Sequence, residues 1–114
     1  MANEAEYRRR IEALEEAFEA SYDGIHILDS DGRTLLINKA CERIEGITKE
    51  DIGDKTISRL VEEGYYDKSV TLMVLDEKRE VTELQRAKNG KSILVTGMPI
   101  YDDSGEIVRV IVNS

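Results

Sequence analysis

The chain has few of the residues on which disulfides and metal centres depend. Its 114 residues include one cysteine, one histidine, one proline and no tryptophan. The lone Cys41 excludes an internal disulfide and a cluster of thiolate ligands, which fits a reducing cytoplasm. A metal site would need His26 and scattered acids, and no ligand spacing supports one. We therefore predict no metal site.

Long hydrophobic runs are also missing. No segment approaches the ~20 apolar residues of a membrane span, and residues 1–10 lack the apolar core of a signal peptide. We expect a cytoplasmic location and no membrane contact.

Basic residues are outnumbered by acidic ones, 16 against 24, which gives a formal net charge of −8. Nucleic-acid binding needs clustered lysine and arginine to neutralise phosphates, so no direct nucleic-acid contact is expected. The one basic cluster, residues 8–10, lies among glutamates, and we interpret it as a solvated helix face.

Motifs of common catalytic sites are absent. The sequence contains neither a Gly-x-Ser-x-Gly nucleophile turn nor a phosphate-binding loop. His26 lies within a predicted strand without an obvious nucleophile nearby, and the carboxylates fall mainly in turns and on helix faces. We predict no catalytic residue and no enzyme activity.

Residues 1–22 predict an amphipathic helix. Asn3 and Glu6 have the spacing of a capping box, and apolar residues recur at spacings of four, three and four. Such a narrow stripe can pack on the chain's own sheet or pair with the same helix of a second subunit. We predict a homodimer that uses this stripe, which consists of Tyr7, Ile11, Leu14 and Phe18.

Residues 23–114 predict a single α+β domain, with a five-stranded antiparallel meander and several short helices between its second and third strands. We expect the short helices on one face of the sheet and the N-terminal helix on the other. The predicted strands are 24–28, 33–38, 79–87, 92–100 and 106–113. The predicted helices and helical turns are 39–45, 48–51, 55–62 and 67–75, with Asn38 and Asp67 as caps of the first and last.

Two long segments carry a family resemblance. DGIHILDSDGRTLLINKACERIEG and KNGKSILVTGMPIYDDSGEIVRVIVNS resemble the opening and closing segments of PAS sensory domains. A closer similarity is to the PAS domains that precede the ATPase of sigma-54-dependent transcription activators. It is carried by the segments VEEGYYDKSVTLMVL and VTELQ together with the second long segment. The resemblance implies a sensory domain of a bacterial transcription regulator that controls a C-terminal effector outside this chain. There are two alternatives. The domain could be a ligand-free dimerisation and coupling module, or it could be the sensor of a histidine kinase or diguanylate cyclase.

The PAS resemblance also implies a cavity between the inner face of the sheet and the short helices. Alternation along the strands, in the phase that the resemblance favours, turns Leu35, Ile37 and six candidate ligand contacts inward. In the opposite phase, the only histidine would lie beneath the N-terminal helix. Another interpretation is that this histidine faces inward but forms its hydrogen bond within a filled core, without a ligand. The six candidates are His26, Leu28, Glu83, Gln85, Val95 and Val110.

Two PAS cofactors are not supported by the sequence. Haem-binding members use an axial histidine from the helical segment, and residues 66–75 contain none. Flavin-binding light sensors carry a reactive cysteine in an Asn-Cys-Arg-Phe-Leu-Gln segment, whereas Cys41 stands in NKACERIEG. Any ligand is therefore expected to be a small organic molecule, bound without covalent chemistry.

Overall fold

The computed structural model describes residues 3–114, which form one five-stranded antiparallel sheet with five helices. The helices are α1 (Glu4–Ala20), α2 (Lys39–Glu45), α3 (Lys49–Ile52), α4 (Ile57–Glu62) and α5 (Val70–Glu77). The strands are β1 (Ile25–Asp29), β2 (Thr34–Ile37), β3 (Val81–Arg86), β4 (Ser92–Tyr101) and β5 (Ile107–Asn113).

The strand order is β2-β1-β5-β4-β3, which corrects the predicted meander. A meander would place β2 beside β3, but helices α2 to α5 carry the chain across the sheet, so β2 and β3 become its two edges. The last strand then pairs with the first, and the start and end of the sheet lie side by side. The α+β class with five antiparallel strands is confirmed.

Each helix begins at a residue whose side chain accepts a backbone N–H group of the first turn, as the local sequence predicts. Asn3 and Asn38 accept backbone N–H groups at the starts of α1 and α2. The predicted cap of the last helix was wrong by two residues, since Ser69 caps α5. Asp67 instead accepts the backbone N–H of Arg86 at 2.8 Å and so ties the preceding loop to β3.

The sheet has an inner face, which packs on α2 to α5, and an outer face on the opposite side. Along β1 the buried positions alternate, and Leu28 joins the hydrophobic core between sheet and helices. Leu35 was predicted to point inward but is 49% exposed. The β1–β2 register shifts beside Leu28, and this bulge leaves Leu35 without a partner and turns it away from the core.

Candidate functional site

Five of the six candidate ligand residues are buried on the inner face of the sheet. His26 and Leu28 share one side of β1, so the phase expected from the resemblance agrees with the structure. Val95 and Val110 are almost fully buried, and Gln85 is 8% exposed. Glu83 lies on the same side of β3 but is half-exposed at the rim.

His26 is held by its own hairpin. Its Nε2 lies 2.6 Å from Oγ1 of Thr34, so the imidazole has a hydrogen-bond partner inside the protein. Burial lowers the pKa of His26 to about 4, because the charged imidazolium loses its hydration there. The side chain is therefore neutral at physiological pH.

The other two polar candidates also have partners within the chain. Gln85 Oε1 accepts the backbone N–H of Val70 at 2.9 Å and so joins β3 to the first turn of α5. Glu83 lies 3.5 Å from the Lys68 ammonium, and both side chains reach solvent. A ligand at this face would have to replace or extend these contacts.

Helix α5 packs directly on the inner face of β3, β4 and β5. Gly97 of β4 allows this approach, because a Cβ there would lie 2.7 Å from Val70 Cγ1 and 2.9 Å from Val74 Cγ2. Val81 of β3 and Val112 of β5 lie opposite Gly97 in the register and are buried. This part of the inner face is filled by side chains of the protein itself.

A second set of buried polar groups lies near the end of β5. Cys41 Sγ and Ser114 Oγ both donate to Oε2 of Glu45, at 2.9 and 3.3 Å, and the Tyr66 hydroxyl faces the same carboxylate. We call these four residues the Glu45 cluster. Sequence analysis missed it, although the four-residue spacing of Cys41 and Glu45 places both on one face of α2.

The predicted dimer stripe lies on the surface. Tyr7, Ile11 and Leu14 are 53%, 55% and 70% exposed, and Phe18 is half-buried. A groove of about 940 Å³ runs between α1 on one side and β1, β2 and α3 on the other. Helix α1 thus stands beside the β1–β2 end of the sheet and leaves Leu84 and Leu94 of the outer face open to solvent.

The outer face carries an apolar row across four strands. Cross-strand pairing aligns its members side by side, and the two on β2 and β4 are substantially exposed. We call these residues the outer row, and they are Leu36, Ile27, Ile111 and Met98. Ile27 and Leu36 also line the groove beside α1, so the outer row and the α1 stripe form one continuous apolar surface.

Comparison with known proteins identifies the family. The family model described as PAS fold matches residues 7–113, nearly the whole chain, and the chain belongs to this family of sensory domains. No match was found among curated proteins. Within residues 3–114, no helix combines the length and apolar character needed to cross a membrane.

Solved structures with the same fold come from distant proteins. The PAS domain of an HTR-like protein from Haloarcula marismortui superposes with a TM-score of 0.67 at 18% identity, covering 96% of this chain and 93% of that one. A domain of a sensory box histidine kinase/response regulator from Geobacter sulfurreducens superposes with a TM-score of 0.62 at 21% sequence identity, with 94% of each chain covered. The PAS domain of nitrogen regulation protein NR(II) from Vibrio parahaemolyticus superposes with a TM-score of 0.57 at 17% sequence identity, covering 86% of this chain and 92% of that one.

Proposed function

We propose that this PAS sensory domain pairs with a second copy of itself through the α1 stripe and the outer row. Changes in that packing would then be passed to an effector domain. The observation that carries the proposal is that α1, with 17 residues, buries none of them. Helices in proteins gain most of their stability from packing an apolar face rather than from intrinsic propensity. A partner surface would supply that packing.

The size of the apolar surface also supports an interface. The α1 stripe and the outer row meet in the groove, where Ile11, Leu14 and Phe18 face Ile27 and Leu36. Continuous exposed apolar surface on a monomer usually marks an interaction site, whereas single exposed residues do not.

The sequence of α1 favours a second copy as the partner. Apolar residues spaced by four, three and four form the seam of a coiled coil. Arg8, Arg10 and Glu15 occupy the positions that flank this seam, so the helix carries both signs of charge beside its stripe. A second copy would bring Glu15 near Arg8 in an antiparallel pair and near Arg10 in a parallel pair.

Replacing Leu14 with glutamate is expected to convert the dimer to a monomer, because a charge at the centre of the stripe would be buried without a counter-charge. Light scattering should give about twice 12.9 kDa for the unaltered chain and about 12.9 kDa for Leu14→Glu. Ala13→Glu adds the same charge on the opposite side of α1 and should remain dimeric. An unaltered chain that is monomeric at high concentration, or a Leu14→Glu chain that stays dimeric, would refute the proposal.

The effector is proposed from the sequence resemblance. The segments VEEGYYDKSVTLMVL and VTELQ support a cytoplasmic bacterial transcription regulator of the sigma-54-dependent class. The alternative effector is a histidine kinase, which the fold likeness to the G. sulfurreducens domain supports. The domain has no catalytic role in either setting.

Non-covalent binding of a small organic molecule is the second candidate function. It is favoured by the position of His26, Leu28, Gln85, Val95 and Val110 together on the inner face, with Glu83 at its rim. A ligand at one hundred times its Kd would stabilise the fold by about 2.7 kcal/mol. A thermal-melting screen of metabolites tests this function: a hit whose effect is lost in His26→Leu supports it, and a screen without hits contradicts it.

A further inference from the structure

The charges of α1 divide the helix into two unlike halves. Residues 4–11 carry three arginines and two glutamates, whereas residues 12–20 carry four glutamates and no basic residue. In the first half, both glutamates pair with an arginine four residues later, at 3.6 and 2.9 Å. Within residues 3–114, none of the four glutamates of the second half forms an ion pair.

The helix dipole adds to this imbalance. The C-terminal end of a helix carries partial negative charge, and a basic residue in the last turn offsets that charge. The last turn of α1 contains Glu19 and no basic residue. Glu15 and Glu19 also line one wall of the groove beside α1. A cationic segment of a partner at this wall would therefore relieve both the repulsion among the glutamates and the unfavourable dipole.

We propose that the α1 helices of two copies pair antiparallel, each in the groove of the other, with Arg8 of one copy beside Glu15 of its partner. The inference rests on the proposed self-association and adds its orientation. Antiparallel pairing places the arginine-bearing half of each helix along the acidic half of its partner. Parallel pairing would place the two acidic halves side by side, and like charges brought together at an interface are costly. The two helix dipoles also attract each other when the helices are antiparallel.

The apolar stripe of α1 fits this orientation. When Ile11 lies opposite Leu14 of the partner, Tyr7 lies opposite the partner's Phe18, so all four stripe residues of each copy are used. The α1 residues that line the groove fall between Ile11 and Glu19, so the N-terminal half of the helix extends beyond the groove. In an antiparallel pair this projecting half enters the partner's groove, where it meets two members of the partner's outer row.

The orientation of the helices also decides how the two domains are placed. Two hydrogen bonds fix the C-terminal end of α1 to its own domain. Asn38 Nδ2 donates to the Phe18 carbonyl at 2.8 Å, and Glu19 Oε1 accepts the backbone N–H of Lys39 at 3.0 Å. Antiparallel pairing therefore sets the two domains at opposite ends of the helix pair, whereas parallel pairing would set them side by side.

Chemical cross-linking between introduced cysteines tests the orientation. Glu4 and Ser21 continue the spacing of the stripe at its two ends, three residues before Tyr7 and three residues after Phe18. A mixture of Glu4→Cys and Ser21→Cys chains, treated with a short bis-maleimide, should give a cross-linked dimer of about twice 12.9 kDa. Each variant alone should give none, because antiparallel pairing holds the two copies of either residue about 25 Å apart. The unaltered chain is the control, since its Cys41 is buried.

A charge exchange tests the pairing of Arg8 with Glu15. Arg8→Glu and Glu15→Arg should each raise the dimer Kd about tenfold, because each places like charges together at two symmetric positions. The double variant restores opposite charges and should bring the Kd back toward that of the unaltered chain. Arg9→Glu makes the same charge change on the far side of α1 and should have a smaller effect. A double variant that associates no more tightly than either single variant would overturn the inference.

The outcomes separate the orientation from self-association itself. Cross-linking of Glu4→Cys with itself would show parallel pairing and overturn the inference, while self-association would stand. A dimeric chain that gives no cross-link in any sample would place the interface away from α1 and also overturn it. An unaltered chain that is monomeric by light scattering would refute self-association, and the orientation with it.

Discussion

Replacing Asn38 with alanine is expected to lower the free energy of unfolding by about 3–5 kcal/mol. The side chain is fully buried and makes four hydrogen bonds. Its Oδ1 accepts the backbone N–H groups of Ile25 and Cys41, each at 2.9 Å. Its Nδ2 donates to the carbonyls of Phe18 and Asp23, at 2.8 and 3.1 Å.

The large effect follows from the backbone groups that alanine would leave unpaired. A buried donor or acceptor without a partner costs about 1–3 kcal/mol, and the loss of a helix cap typically adds about 1 kcal/mol. Urea unfolding at one fixed protein concentration measures the change. Asn3→Ala removes the exposed Asn cap of α1 and should cost no more than about 1 kcal/mol. A loss below about 1 kcal/mol for Asn38→Ala would show that these four bonds do not secure the fold.

Acidification from pH 7 to pH 5 is expected to destabilise the protein by about 2 kcal/mol through His26 alone. The ordinary pKa of a histidine side chain is 6.5, and burial lowers the pKa of His26 to about 4 in the folded state. Between these two values the unfolded chain binds a proton that the folded chain does not, so the free energy of unfolding falls as the pH falls. The full loss, reached below pH 4, is about 3 kcal/mol.

The variant His26→Gln isolates this contribution, because no other side chain of the protein titrates ordinarily near pH 6. Stability measured at pH 7 and at pH 5 should differ by about 2 kcal/mol less in the variant than in the unaltered chain. Equal pH dependence in the two chains would mean that folding does not lower the pKa of His26.

Local patterns predicted the elements whose causes are local. The α1 stripe, the hairpin of β1 and β2, and the cap at Asn38 depend on residues close together in the sequence. The inward phase of β1, and with it the burial of His26, required the family resemblance as well. Three of the four bonds of Asn38 were not predicted, since they reach residues 13 to 20 positions away.

The candidate ligand site illustrates the limit of alternation. Period-two spacing assigned Gln85 and Glu83 to the inner face, but it carries no information about their partners, Val70 and Lys68, in another segment. Leu35 was misplaced because a bulge breaks the period locally. The Glu45 cluster joins residues from α2, the segment before α5 and the end of β5, and only the folded chain brings them together.

These contacts distinguish the two proposed functions. His26, Gln85 and Glu83 all have partners within the chain, and α5 packs against Gly97 on the inner face of β4. The polar groups on which a ligand would depend are thus largely satisfied. The apolar surface of α1 and the outer row is instead exposed, so self-association is the function that the described residues support best.

Hydrogen–deuterium exchange of the α1 amides tests the central claim most directly. The unaltered chain and Leu14→Glu are compared at one concentration, and leucine and glutamate have similar helix propensities. If a second copy covers α1, its amides should exchange about tenfold more slowly, or slower still, in the unaltered chain. Equal exchange in the two chains would contradict the account, because α1 would then have no partner to lose.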